Sequence, residues 1–248
     1  MRRLIGDLLV AFQFLTRLPI TPVRYQPDSL SRSAKFFPIV GLVVGFGAVA
    51  LQRLLISHLN RALVALAVLI FLVLVTGGLH EDALADAADG FGGGWDRAEI
   101  LVILRDSRIG SFGALALVLS VLARFLLLGL LPASRFTAMA VCAHVLCRWT
   151  TLPLGYFLQP AREGDGQGTR VAQKISSATL VIGTVLSFVI VFYLLRSEFW
   201  IPVLATVIVT ALSGIYYFRR IGGVTGDCFG ATNQLAEIAV YFCGVWGT

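Results

Sequence analysis

The chain has 248 residues, 57% of them hydrophobic and 14% charged, with a net charge of +6 and a mean hydropathy of +0.85. So apolar and charge-poor a composition excludes a water-facing globular surface, and no soluble region is large enough to gather the basic surplus into a nucleic-acid interface. It predicts an all-α, polytopic membrane protein forming a single domain over 1–248.

In chain order, Arg2 and Arg3 precede an apolar stripe of Leu4, Ile5, Leu8, Leu9, Phe12 and Leu15. The run resembles a signal peptide but is short, is interrupted by Gln13 and lacks a small-residue cleavage site, so it reads as a retained helix. Such a helix lies at the membrane interface or packs on the bundle. Pro19, Pro22 and Pro27 then break the chain, which makes 1–35 an interfacial segment and 36–248 the helical bundle. Apolar runs of spanning length are expected at 36–56, 62–79, 111–131, 136–158, 178–195, 199–218 and 235–247, seven in all. They are continuous rather than alternating, which excludes a β-barrel.

Lys and Arg set the orientation. Arg17, Arg24, Arg32 and Lys35 precede the first run, Arg97, Arg105 and Arg108 follow the second, Arg162, Arg170 and Lys174 follow the fourth, and Arg219 and Arg220 follow the sixth. The positive-inside rule then puts the N-terminus and the loops around 80–110, 159–177 and 219–233 in the cytoplasm, and the C-terminus outside. The localisation implied is the cell membrane, multi-pass, which is the inner membrane in a Gram-negative source. Cys142, Cys147, Cys228 and Cys243 make no C-x-x-C pair and call for neither a disulfide nor zinc.

The most informative stretch follows the second run, His80-Glu81-Asp82-Ala83-Leu84-Ala85-Asp86-Ala87-Ala88-Asp89-Gly90. Asp82, Asp86 and Asp89 stand at i, i+4 and i+7, within roughly 60° of one helix face. Three anions in register repel one another, and oxygen-only donors suit a hard divalent cation such as Mg²⁺ or Mn²⁺. A solvated acidic helix end is the competing explanation. Asp106-Ser107-Arg108-Ile109-Gly110-Ser111-Phe112-Gly113 opens the third run with an acid, a base and glycines suited to bringing N–H groups and a guanidinium to a phosphate. Asp106 as a helix cap and Arg105 and Arg108 as topology charges explain the same residues equally well. Gly222, Gly223, Gly226 and Gly230 surround Asp227, and Asn233 and Glu237 follow on one helix face. Glu237 lies inside the last apolar run, where a solvated role fails. Gln159–Ser177, with Pro160 and three glycines, reads as a lid or a linker. Arg148 snorkels, pairs with a carboxylate or meets a phosphate, and His144 serves as a hydrogen bonder in the core.

Taken together, Gly77 to Gly90, Asp106 to Gly113, and Gly223-Val224-Thr225-Gly226-Asp227 through Gly230-Ala231-Thr232-Asn233-Gln234 closely resemble the signatures of the cobalamin synthase family, the adenosylcobinamide-GDP ribazoletransferases. Phe14-Leu15-Thr16-Arg17-Leu18-Pro19 and Phe37-Pro38-Ile39-Val40-Gly41 resemble its N-terminal pattern. Glu81 and Ala83 depart from that family's commoner apolar residue and Gly. The resemblance implies an enzyme of the last steps of cobalamin biosynthesis. It would join adenosylcobinamide-GDP to α-ribazole or its 5′-phosphate at the cytoplasmic membrane face, with Mg²⁺, and release GMP. It further implies Mg²⁺ on Asp82, Asp86 and Asp89, and attack by the ribazole 5′-oxygen on the phosphorus attached to cobinamide. Arg108 would face the phosphates, and Asp82 or Asp227 would take the proton. His80, Arg17, Arg105, Asp106, Ser107, Asn233 and Glu237 complete the implied substrate contacts. The rival reading is a transporter or channel that uses intramembrane carboxylates. Homo-oligomerisation stays open.

Overall fold

The computed structural model describes residues 2–20, 28–162 and 175–246. Among them the regular elements are helices, joined by one isolated parallel bridge between Pro160 and Val224. The helices are α1 (Arg2–Leu15), α2 (Ser29–Ser33), α3 (Phe37–Leu55), α4 (Arg61–Thr76), α5 (Leu79–Gly93) and α6 (Arg97–Ile103). They continue with α7 (Ser111–Leu130), α8 (Ala133–Trp149), α9 (Thr151–Phe157), α10 (Ser177–Leu195), α11 (Trp200–Ile221) and α12 (Gly226–Val245). A turn of 3₁₀ helix at Ala34–Phe36 makes α2 and α3 one continuous rod.

The exact count of seven spans is not confirmed. Among the described residues four helical rods are long and apolar enough to cross a membrane by length and composition, Ser29–Leu55, α7, Ser177–Glu198 and α11, with a fifth if α4 and α5 count as one broken span. The physical reason lies in where polarity is placed. α8 and α12 occupy the centre, where neighbouring helices rather than lipid solvate them, so they need not be uniformly apolar. Every residue from Met139 to Thr150 is buried, including His144 and Arg148. On α12 the buried set includes Thr232, Asn233, Gln234 and Glu237. The outer helices show the opposite pattern, with Val118, Leu119 and Leu122 of α7 and Val181, Val185 and Val189 of α10 exposed. This is a multi-pass membrane protein.

Of the two placements expected for the N-terminal helix, the structure shows packing on the bundle. Val10, Ala11 and Leu15 are buried while Leu4 and Ile5 are exposed. Its buried Asp7 ties α1 to the first rod through Lys35 at 3.0 Å and Arg32 at 3.5 Å.

α3 crosses α8 at close range, and the crossing rests on two glycines spaced i, i+4. A Cβ on Gly41 would run into the backbone carbonyl of His144, and one on Gly45 would stand 2.7 Å from Val141 Cα. Without side chains at these positions the two backbones pack directly, the small-residue contact that holds membrane helices together where the hydrophobic effect between them is absent. Gly41→Val should therefore lower stability by about 1–3 kcal/mol through overpacking, read as a fall in thermal unfolding temperature in detergent. Gly6→Ala, where an added Cβ meets nothing within 4 Å, should not destabilise. Equal stability for Gly41→Val and wild type would mean that this crossing is not close-packed.

Candidate active site

α5 owes its direction to a glycine pair. Gly77 and Gly78 adopt φ of +68° and +71°, the left-handed region that costs glycine little. Their N–H groups donate to the carbonyls of Leu74 at 3.2 Å and Val73 at 3.0 Å, closing α4. The chain then leaves at 85° to α4, so α5 crosses the bundle instead of prolonging the span.

On α5, adjacent residues point to different places. His80 and Glu81 are buried, Asp82 is exposed, and Asp86 and Asp89 are half-buried. A cavity of about 200 Å³ opens where α5, α8 and α12 meet, and Asp82, Asp227, His80, Asn233 and Arg148 line it. Phe14, Phe37 and Phe229 supply aromatic wall. Carboxylates from two motifs far apart in sequence thus share one chamber. Asp227 also lies 3.8 Å from Arg162 and accepts a hydrogen bond from Thr225. The Asp86 carboxyl is raised to about 6, first by burial and then by the charges of Asp82, Asp227 and Asp89. Oxygen donors of this kind suit a hard divalent cation, which would relieve the repulsion by drawing the carboxylates together; among the described residues they do not already meet at one point.

Asp89 is placed differently from the rest of the stripe. Its Oδ2 accepts from Gly110 N at 2.7 Å and its Oδ1 from Gly113 N at 2.8 Å, so it caps the first turn of α7 from another helix. A Cβ at Gly110 or Gly113 would strike this carboxylate. The N–H groups read from the sequence as phosphate donors are therefore held by Asp89, with one lone pair left on each oxygen.

Glu237 does not line the cavity. Arg124 of α7, only 2% exposed, donates to Glu237 Oε1 at 2.9 Å and to Glu81 Oε1 at 2.5 Å. Gln234 donates to the same Glu81 oxygen at 3.0 Å and accepts from Ser120 at 3.1 Å. Arg124 is the residue that sequence reasoning missed. A lone Arg in the middle of the run 111–131 was the available signal, since such a charge needs a buried partner.

The remaining expected contacts lie elsewhere. Arg108 is exposed and forks onto Asp106, with Nη2 to Oδ2 at 2.6 Å, and this partner holds the Asp106 carboxyl down at about 2. Ser107 and Arg105 are exposed beside it. Arg17 donates its backbone N–H to Val75 O at 2.8 Å, and its side chain lies against Gly77 under the α4–α5 turn. The loops nevertheless share one end of the molecule. Arg97 donates to Ile221 O at 2.9 Å and Ala161 O at 2.7 Å, and Arg220 donates to Gly94 O at 2.8 Å. Most of Gln159–Ser177, the lid or linker, lies outside the described residues.

A second donor group, His144, Cys147 and Glu237, has atoms within 4.8 Å of one another. Arg148 Nη1 sits 3.2 Å from His144 Nδ1, Tyr241 OH is 3.1 Å from Nε2, and Arg124 holds Glu237. Two guanidinium groups at these atoms oppose a metal cation there.

Residues 7–245 match the family model described as Cobalamin-5-phosphate synthase. The chain belongs to this family. Similar proteins named adenosylcobinamide-GDP ribazoletransferase include those of Albidiferax ferrireducens, 36% identical over 97% of this chain and 98% of the relative, and Polaromonas naphthalenivorans, 39% identical over the same shares. A third, from Shewanella woodyi, is 34% identical over 97% of this chain and 96% of its own. No solved structure matches. Family membership makes the chain an enzyme that transfers a substituted phosphate group.

The Asp89 geometry yields a prediction. Asn keeps one carbonyl acceptor but turns an NH₂ toward the other backbone N–H, so Asp89→Asn should cost about 1–2 kcal/mol of stability. Asp82→Asn, which removes charge from a crowded stripe, should cost none. Thermal unfolding in detergent compares them, and identical unfolding of the two variants would remove the capping role.

Proposed function

We propose that the protein transfers the cobinamide phosphate of adenosylcobinamide-GDP to α-ribazole or its 5′-phosphate, releasing GMP, at the cytoplasmic face of the cell membrane. The observation that carries this reading is the convergence of Asp82 and Asp227 on one cavity, together with Asn233 and His80. Family membership and the names of the relatives supply the reactants. The clustering of Arg97, Arg162, Arg219 and Arg220 at the loop end supports the cytoplasmic orientation.

The chemistry constrains the attacking atom. An acceptor bearing a 5′-phosphate that survives into the product has no free 5′-oxygen, so the 5′-hydroxyl named by resemblance is replaced here by another ribose hydroxyl. That oxygen forms a bond to the phosphorus attached to cobinamide, the bridging P–O bond to GMP breaks, and GMP leaves with the electron pair. Asp82 or Asp227, both lining the cavity, takes the hydroxyl proton. Asn233 offers a neutral amide to orient the acceptor. Mg²⁺ held by Asp82 and Asp86, with Asp227 facing them, would offset the negative charge of the two phosphates. Arg108 stands exposed just before α7 and would meet the donor phosphates by exchanging its Asp106 partner. The intramembrane acids behind the transporter reading are accounted for by Arg124, which pairs with both Glu81 and Glu237.

Purified protein given adenosylcobinamide-GDP and α-ribazole should release GMP, and chelation of divalent cations should stop it. Asp82→Asn and Asp227→Asn should each lower turnover by about 10²-fold or more while inserting normally. Near-normal turnover in Asp227→Asn would show that this cavity is not where the transfer occurs.

A further inference from the structure

Among the described residues the bundle buries two arginines and treats them oppositely. Arg124 meets two carboxylates, whereas Arg148, also 2% exposed, forms no ion pair among the described residues. Its Nη1 is held by His144 O at 3.1 Å, His144 Nδ1 at 3.2 Å and Cys147 Sγ at 3.5 Å, all on its own helix. Its Nε has no hydrogen-bond partner. A buried guanidinium without an anion is costly, because burial removes water and nothing replaces it. Arg148 lines the cavity beside Thr151 and Asn233, facing walls of Phe14, Phe37 and Phe229.

We propose that Arg148 is the receptor for a phosphate monoester carried by the nucleoside-like acceptor, an inference that rests on the ribazole-transfer reading above. The chamber's aromatic walls of Phe14, Phe37 and Phe229 suit a flat base. An acceptor seated with its base on the phenylalanines places a terminal phosphate within reach of the planar, five-donor head of Arg148. Thr151 and Asn233 add neutral donors. Asp82 and Asp227 occupy the same chamber and repel a dianion, so the phosphate is drawn to the Arg148 wall. Arg148 thereby sets the preference between phosphorylated and unphosphorylated acceptor without taking part in the transfer.

The test compares kcat/KM for α-ribazole 5′-phosphate with that for α-ribazole in wild type, Arg148→Lys and Arg148→Gln. The ratio should fall about 10- to 100-fold in Arg148→Gln, through the KM of the phosphorylated acceptor, with Arg148→Lys between the two. An unchanged ratio, or a loss confined to the affinity for the GDP-activated donor, overturns the assignment. Should Arg148→Gln fail to fold, equilibrium titration of the wild type without donor decides: the 5′-phosphate binds at least about tenfold more tightly than α-ribazole, and equal affinity overturns the proposal. Absence of GMP release from wild type with either acceptor would instead sink the ribazole-transfer reading itself.

Discussion

Arg124 is the interaction on which the arrangement of the site depends. A guanidinium 2% exposed in the middle of an outer helix has no water to turn to, so its two carboxylate partners are obligatory. Those partners sit on different helices, Glu81 on α5 and Glu237 on α12, and Gln234 closes the ring by donating to Glu81. Adjacent residues on a helix point about 100° apart. With Glu81 turned to Arg124, Asp82 faces the cavity, and with Gln234 turned to the same network, Asn233 does. The buried pairs thus set the rotation of both helices that present the polar groups of the site.

Glycine sets the distances that this network spans. The Gly77–Gly78 pair swings α5 across the bundle, and Gly230 on α12 lets it approach, since a Cβ there would overlap that of Ala83. At the far end of the stripe, Gly110 and Gly113 leave room for Asp89 to hold the start of α7, the helix that carries Arg124. One acidic helix is therefore fastened at both ends, by Glu81 to the middle of α7 and by Asp89 to its first turn. Asp82 and Asp86 lie between these anchors, free of Arg124 and of the α7 backbone.

Much of this is legible in the residues alone. The apolar composition, the stripe Asp82, Asp86 and Asp89, and the glycines flanking Asp227 all point to a membrane enzyme with an acidic, cation-compatible site. What hydropathy cannot separate is a helix facing lipid from one wrapped by other helices, which is why, among the described residues, four rods and the bent α4–α5 pair stand out as apolar spans while α8 and α12 do not. Asp89 shows a second limit: periodicity places it with the metal-ligand face, but its partners are two backbone N–H groups on a helix that begins some twenty residues later. Arg124 shows a third, because one charge in an otherwise apolar run satisfies the test for a span and draws no notice until its partners are seen. Arg108 and Arg148 exchange emphasis for a related reason. The exposed loop arginine sits in a conspicuous motif, while the buried one that lines the cavity has no motif around it.

The most direct test of the central claim is a double-mutant cycle on unfolding free energy between Arg124→Met and Glu81→Gln, repeated with Glu237→Gln. Contact through a buried, shared guanidinium predicts a coupling of about 1.5–3 kcal/mol in each cycle, with the double variant more stable than the sum of the single losses. Additive losses within about 0.5 kcal/mol would contradict it, and would mean that Arg124 does not tie α5 to α12.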